Sequence, residues 1–305
     1  MSVAPREDRL GLAVILMAAS FLLFALLDTV AKVLVLAGLP VLQVVFLRFT
    51  GHAFCVLGLF GPREGAGVFR SNAPRLQLLR ALGLAGATAF NFAALQYLPL
   101  TVTISIFFAS PLMVCLLAIP LLGERVGPRR LAGVFAGFLG VLVITEAWSA
   151  DFQWAMLLSV ASMLSASLYF VLTRKLAGVD GNAVSQLYAS ALPAIALAPF
   201  ALAGWQVPAA GWQWLLLALT GVLGFTGHVI LTVAYRYAEA SRVSPMVYSQ
   251  IIWATLLGWT VFGQAPSGTT LIGTAIIVAS GLYIWTRERA VARAASGPPP
   301  GPPAL

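Results

Sequence analysis

The chain has 305 residues, of which 60% are hydrophobic and 9% charged, with a formal charge of +8. A water-facing globule of this composition would need an almost wholly apolar surface, so that class is excluded and lipid is the solvent for most of the chain. The basic surplus does not point to nucleic acid, because Lys and Arg stand in ones, twos and threes at the ends of apolar runs, as in helices oriented across a membrane.

Residues 1–9 form a short cytoplasmic segment of mixed charge, and the apolar run after it, 10–36, is longer than a signal-peptide core and is expected to stay attached as the first span. Four more spans are predicted at 41–60, 81–97, 100–122 and 131–147. A second set of five follows at 152–172, 183–203, 212–235, 243–262 and 270–286. Each is long enough to cross a hydrocarbon core of roughly 30 Å as a helix. The alternating ten-residue pattern of a membrane barrel is absent from the sequence. Residues 287–305, rich in Pro and Gly from Ala295 onward, are expected as a disordered cytoplasmic tail. Cys55 and Cys115 fall inside apolar runs without CxxC or Cys/His spacing, and read as small apolar fillers.

Counting Lys and Arg in alternate connections tests this layout. With the N-terminus in the cytoplasm, sixteen of the eighteen basic residues fall on one side and none on the other, Lys32 and Arg48 being inside spans. Positive residues are retained on the cytoplasmic face, so the split places both termini there. Sliding the chain by 140 residues then aligns Ala94 with Ala234, Tyr97 with Tyr237, Gly123 with Gly263, Gly133 with Gly273 and Ile144 with Ile284. Five spans per repeat is an odd number, so the two copies enter the membrane in opposite directions. The expected fold is all-α integral membrane, ten transmembrane helices as two inverted five-helix repeats over 10–147 and 152–286. Transporters recurrently use this design, with the substrate site near the midplane between the repeats.

The segment Ala94 to Leu100 (ALQYLPL), then Ser110-Pro111, Leu121 to Val126 (LLGERV), Gly133, Gly137 and Gly140 carry a family pattern, as do Asp28 to Lys32 (DTVAK) and Leu39 to Arg48 (LPVLQVVFLR). In these the chain resembles the drug/metabolite transporter superfamily, in particular proteins with two EamA-type domains. The resemblance implies export or uptake of a small polar metabolite across the inner membrane. It leaves the substrate open, since the family handles amino acids, nucleotide-like metabolites, sugars and cations. In the second repeat Gln264 stands where the family has glutamate.

Ionisable groups inside spans are costly and by default functional. Asp28 and Lys32, one turn apart on the first span, and Arg48 on the second have two readings: an ion pair that only lowers the cost of burial, or a vestibule whose surplus charge meets a substrate carboxylate or phosphate. His52, one turn from Arg48, is either a packing residue or a proton-coupling group. His228 on the eighth span calls for the same caution. Asn91 is helix glue or a substrate contact. Ser110 and Pro111 mark a kink in the fourth span whose freed carbonyls can line a cavity. The 140-residue match puts Gln250 opposite Ser110, so Tyr248, Gln250 and Trp253 become candidate lining of the second repeat. Glu124 and Arg125 read as a cytoplasmic gate or a loop-fixing ion pair.

The leading class is a secondary transporter working by alternating access, its partners a small-molecule substrate, the lipid bilayer and a coupling proton, with a homodimer compatible. An enzyme is disfavoured by the lack of HExxH, GxSxG or paired intramembrane carboxylates, and the lack of a Walker motif excludes ATP use. No cofactor and no metal are expected. A channel, or a membrane sensor or assembly partner, are the remaining alternatives.

Overall fold

The computed structural model describes residues 9–123, 127–146, 152–176, 178–234, 237–238 and 244–295. Among these the chain is helical throughout: α1 (Leu10–Leu36), α2 (Val41–Glu64), α3 (Pro74–Leu95), α4 (Leu100–Phe107), α5 (Ser110–Leu122), α6 (Pro128–Thr145), α7 (Met156–Lys175), α8 (Asn182–Ala203), α9 (Gly211–Ala234), α10 (Gln250–Phe262) and α11 (Gly268–Ala295). Short 3₁₀ turns, Gly65–Phe69 and Ser244–Ser249, follow α2 and precede α10. Eight segments are long and apolar enough to cross a bilayer, α4 and α5 together forming one of them, and Leu131–Thr145 and Met246–Phe262 are two shorter apolar helices. These ten segments fall at the positions of the ten expected spans, two of them shorter than a full crossing length. The last helix continues to Ala295, so its end lies beyond 286 and helix occupies the start of the segment expected as a disordered tail; 296–305 lie outside the described residues, as do 1–8.

Local chemistry sets the boundaries. Pro74 and Pro128 open α3 and α6 at first-turn positions, where a missing N–H costs no helical bond. The α4–α5 break falls just before Pro111, which cannot donate to the Phe107 carbonyl. α5 and α10 are each 13 residues long and each ends on a left-handed glycine, Gly123 at φ 70° and Gly263 at φ 65°. Their bounds differ by the same 140 residues at both ends, so the internal match seen in the sequence is a match of helices and caps.

The two repeats interlock instead of standing side by side. α1 packs on α9 and α3 on α7, which are the same contact in the two copies; α2 meets α8, and α6 meets α11, each helix against its own counterpart. The α6–α11 crossing is reciprocal. A β-carbon on Gly133 would stand 2.9 Å from Ile284, and one on Gly273 would stand 2.5 Å from Ile144. Shifting either pair by 140 generates the other, and the order of contacts makes these two helices antiparallel. At its centre the backbones touch, a β-carbon on Gly140 lying 2.7 Å from the Gly273 carbonyl oxygen. Small residues allow such approach where no hydrophobic force drives helices together. α2 and α9 cross in the same way, with a β-carbon on Gly221 placed 2.7 Å from the Gly51 α-carbon. Ser20 of α1 donates to the Gly227 carbonyl of α9 (2.9 Å), adding a polar tie between repeats.

Gly140→Ala and Gly273→Ala are each expected to destabilise the detergent-solubilised protein by about 1–3 kcal/mol, the usual cost of overpacking. Gly58→Ala, whose β-carbon would meet nothing within 4 Å, should not. Thermal unfolding checks this, and equal melting temperatures for all three variants contradict the close crossing.

Candidate functional site

The candidate site lies where α1, α2, α3, α7, α8 and α9 converge. Arg48 of α2 is 2% exposed, and its Nε and Nη1 have no hydrogen-bond partner among the described residues. The guanidinium lies 4.1 Å from the Phe49 ring centroid and faces Gly224 of α9, where a β-carbon would come within 3.4 Å of it. Gly224 is what gives the fork its room. The charge that acts on it is that of Asp28, with which it makes no salt bridge, and the Tyr169 phenol stands near it. Burying an arginine without pairing its donors costs several kcal/mol. A guanidinium held in that condition is complementary to something that brings acceptors.

Asp28 of α1 accepts a 2.9 Å hydrogen bond from the Asn91 side chain of α3. Lys32, one turn further along α1, turns away from both. Its ammonium, buried, donates to the Leu98 carbonyl (2.6 Å) and to Gln264 (2.9 Å), and stands 4.9 Å from the Phe262 ring centroid. Lys32 thus belongs to a junction of α1 with the α3–α4 turn and the end of α10, and not to the Arg48 group. The residue that replaces the family's glutamate is its partner.

His52 is fully buried and neither of its ring nitrogens has a partner. Its ring stands 5.7 Å from Phe225 and 5.7 Å from His228, both on α9, and His228 is 5.0 Å from Phe24 of α1. Gln186 of α8 completes the surroundings of His52. Asp28, Arg48, His52, Asn91 and His228 are therefore brought to one region.

Ser110, Pro111, Tyr248 and Gln250 make their recorded contacts elsewhere, and Trp253 meets this region only through the cluster that holds Phe24. The Ser110 hydroxyl donates to the Phe107 carbonyl, the acceptor that Pro111 leaves free, so the kink satisfies itself. Pro111 is exposed on the outside of the bundle, while the Ser110 carbonyl accepts from Ser167 (3.3 Å). Tyr248 stacks edge-on against Phe108 at 5.2 Å and fills the place of a side chain at Gly281. Gln250 is buried. Trp253 packs against the buried cluster of Ala13, Met17, Phe21, Ala234 and Ala238, and its indole N–H has no partner among the described residues. Glu124 and Arg125 lie outside the described residues. Among the described residues no three His, Cys, Asp or Glu side chains gather as for a metal ion.

Two residues escaped sequence reasoning. Arg80, counted there with the connections, is buried within α3 and donates to Thr173 (2.8 Å), Gln77 (2.9 Å), the Ser185 carbonyl (3.2 Å) and the Tyr169 hydroxyl (3.4 Å). Tyr169, whose ring centroid lies 5.1 Å from the Arg80 guanidinium, also interacts with Arg48. The signal was Pro74, a helix-start residue that places Arg80 two turns inside the span. At the same end of the bundle Asp180 accepts from Ser71 (2.6 Å), the Asn72 N–H (2.8 Å) and Gln77 (2.8 Å), tying the α2–α3 connection to the α7–α8 connection. A recess of about 230 Å³ opens at the opposite end, between Leu98, Thr101, Glu146, Gln153 and Thr270.

Residues 11–146 and 153–286 each match the EamA-like transporter family. The chain belongs to this family, and with it to the drug/metabolite transporter superfamily. As an EamA-like transporter it is a multi-pass integral protein of the cell (inner) membrane and is not an enzyme. It is 31% identical to a riboflavin transporter of Rhizobium johnstonii over 94% of this chain and 95% of that one. It is 27% identical to an S-adenosylmethionine uptake transporter of Rickettsia bellii, over 81% and 84%. It is 26% identical to the pseudopaline exporter CntI of Pseudomonas aeruginosa, over 79% and 85%. A crystal structure covering 92% of this chain and 97% of the other chain superposes with a TM-score of 0.62 at 22% identity, a likeness of fold.

In this EamA-like transporter Asp180 yields a pH prediction. Burial pushes its carboxyl up, but hydrogen bonds from Gln77, Ser71 and Asn72 together outweigh that and hold it below its usual value. A depressed pKa contributes stability that is present above the unfolded value near 3.9 and is lost as the pH falls through the folded value. Asp180→Asn should therefore lower the melting temperature at pH 7, with the difference from wild type shrinking below about pH 4. A difference that does not depend on pH contradicts the assignment.

Proposed function

We propose that the protein is a secondary active transporter that moves a small polar metabolite across the inner membrane by alternating access, with Arg48 receiving an acidic or carbonyl group of the solute. The observation that carries this reading is the buried Arg48 guanidinium, with two donors unpartnered, at the junction of the two repeats. In the proposed topology both termini are cytoplasmic and the repeats, 10–147 and 152–286, are inverted. The one-sided distribution of Lys and Arg and the antiparallel α6–α11 crossing support it.

Asp28 and Asn91 frame the solute beside Arg48. Rocking of one repeat on the other about the glycine crossings exposes the site to each face in turn. Glu124 and Arg125 would act at the cytoplasmic mouth. Relatives named for riboflavin, S-adenosylmethionine and pseudopaline supply the first solutes to test, all polar metabolites rich in acceptors.

Uptake and counterflow in proteoliposomes test the proposal with a panel of riboflavin, S-adenosylmethionine, amino acids and phosphorylated metabolites. Arg48→Ala should reduce flux of the carried solute at least tenfold, about 1.4 kcal/mol. Arg48→Lys should restore it only in part, since an ammonium lacks the planar fork. No flux of any panel member through the wild type, or unchanged flux through Arg48→Ala, overturns the reading.

A further inference from the structure

His52 and His228 are the two histidines of the chain, and the fold brings them together from opposite repeats. His52 belongs to the second helix of the first repeat, His228 to the third helix of the second. Their rings stand 5.7 Å apart and tilted by 31°. Phe225 and Phe24 close edge-on around them. The α2–α9 contact between Gly51 and Gly221 lies next in the chain to His52. The mechanism proposed above uses neither ring.

A neutral imidazole carries one N–H and one acceptor nitrogen. His52 has Gln186 close to its ring but, among the described residues, no hydrogen bond of full geometry on either nitrogen, in a fully buried place, a costly condition for an isolated packing residue. Two imidazoles facing each other relieve that cost by sharing a proton through one water, since no His228 nitrogen is in direct hydrogen-bond geometry with His52. One added proton makes an N–H⁺ donor on one ring and an acceptor on the other. A second would place two like charges side by side, in a group that already holds a guanidinium, so the pair takes one proton and not two.

The groups that bear on the pair are Arg48 from α2 and Arg80 from α3, with Gln186 from α8; Asp28 from α1 and Tyr169 from α7 bear on Arg48 behind them. Asp28 is the one carboxylate among them. A single imidazolium is thus tolerated best when a solute's acceptor group has come to Arg48, one helical turn from His52.

We infer that His52 and His228 form one proton site, shared between the repeats, which takes up a proton with the solute and releases it when the halves rock apart. The inference rests on the transporter reading above and names the coupling ion of that site. Because the rings lie on opposite repeats at their crossing, the sharing geometry exists in one arrangement and is broken in the other. Solute binding and proton binding favour each other reciprocally, whichever direction the net flux takes.

The test reads the proton directly, in the solute-free protein and again with inorganic phosphate added to bring an acceptor group to Arg48. Protein labelled with ¹⁵N at histidine, purified through a histidine-free tag into nanodiscs, shows the two rings alone in its imidazole NMR spectrum. The inference predicts that from about pH 4 to 9 both rings shift in one common step with one proton bound, and that in His228→Gln the His52 ring titrates at a different pH. The outcomes that overturn it are two independent titrations, uptake of two protons, rings whose spectra do not change over the range, or a His52 titration untouched by His228→Gln. The wild-type spectrum decides on its own if the variant fails to fold. Loss of flux in Arg48→Ala tests the solute site separately, so failure of one reading is distinguishable from failure of the other.

Discussion

A guanidinium buried in an apolar bundle with two of its donors unused is the constraint around which the rest of this structure is arranged. Arg48 cannot reach water, since it is 2% exposed, and among the described residues no carboxylate is in contact with it. What it is given is space, through Gly224, an aromatic face from Phe49, the more distant charge of Asp28 and the Tyr169 phenol. Such a group raises the cost of the empty site and lowers that of the filled one. A carrier needs that difference in order to bind its solute at a protein-lined midpoint and then release it.

The repeats hold this site between them because neither can complete it alone. Arg48 and His52 come from the first repeat, while Gly224, His228, Tyr169 and Gln186 come from the second. Backbone contact at Gly51–Gly221 and Gly140–Gly273 draws the two halves close without binding them through long interdigitating side chains. Polar ties flank the site: Lys32 fastens one end of the bundle through Leu98 and Gln264, and Arg80 and Asp180 fasten the other. Each tie joins the two repeats, so motion of one on the other requires that these bonds exchange.

Much of the fold was legible in the sequence because membrane spans are long apolar runs and the repeat is written in residues with strong backbone roles. Gly123 and Gly263 end equivalent helices in the left-handed region, and Gly133 and Gly273 lie at reciprocal contacts, so matching letters meant matching geometry. The site was legible only in outline. Arg48, Asp28, His52 and Asn91 stood out as polar residues in lipid-length runs, but their partners lie on helices distant in the chain. Lys32 shares a helix face with Asp28 and yet is claimed by Gln264, far along the sequence. Ser110 and Pro111 looked like an opening in the backbone, and the serine hydroxyl closes it locally. Arg80 was hidden because one basic residue near a span end looks the same whether it faces water or the core.

The central claim, that Arg48 is held ready for the solute, is tested most directly by a structure with the carried solute bound. The account predicts acceptor atoms of that solute within about 2.7–3.2 Å of Arg48 Nε or Nη1. A solute bound elsewhere, with those two nitrogens still unpartnered, would contradict it.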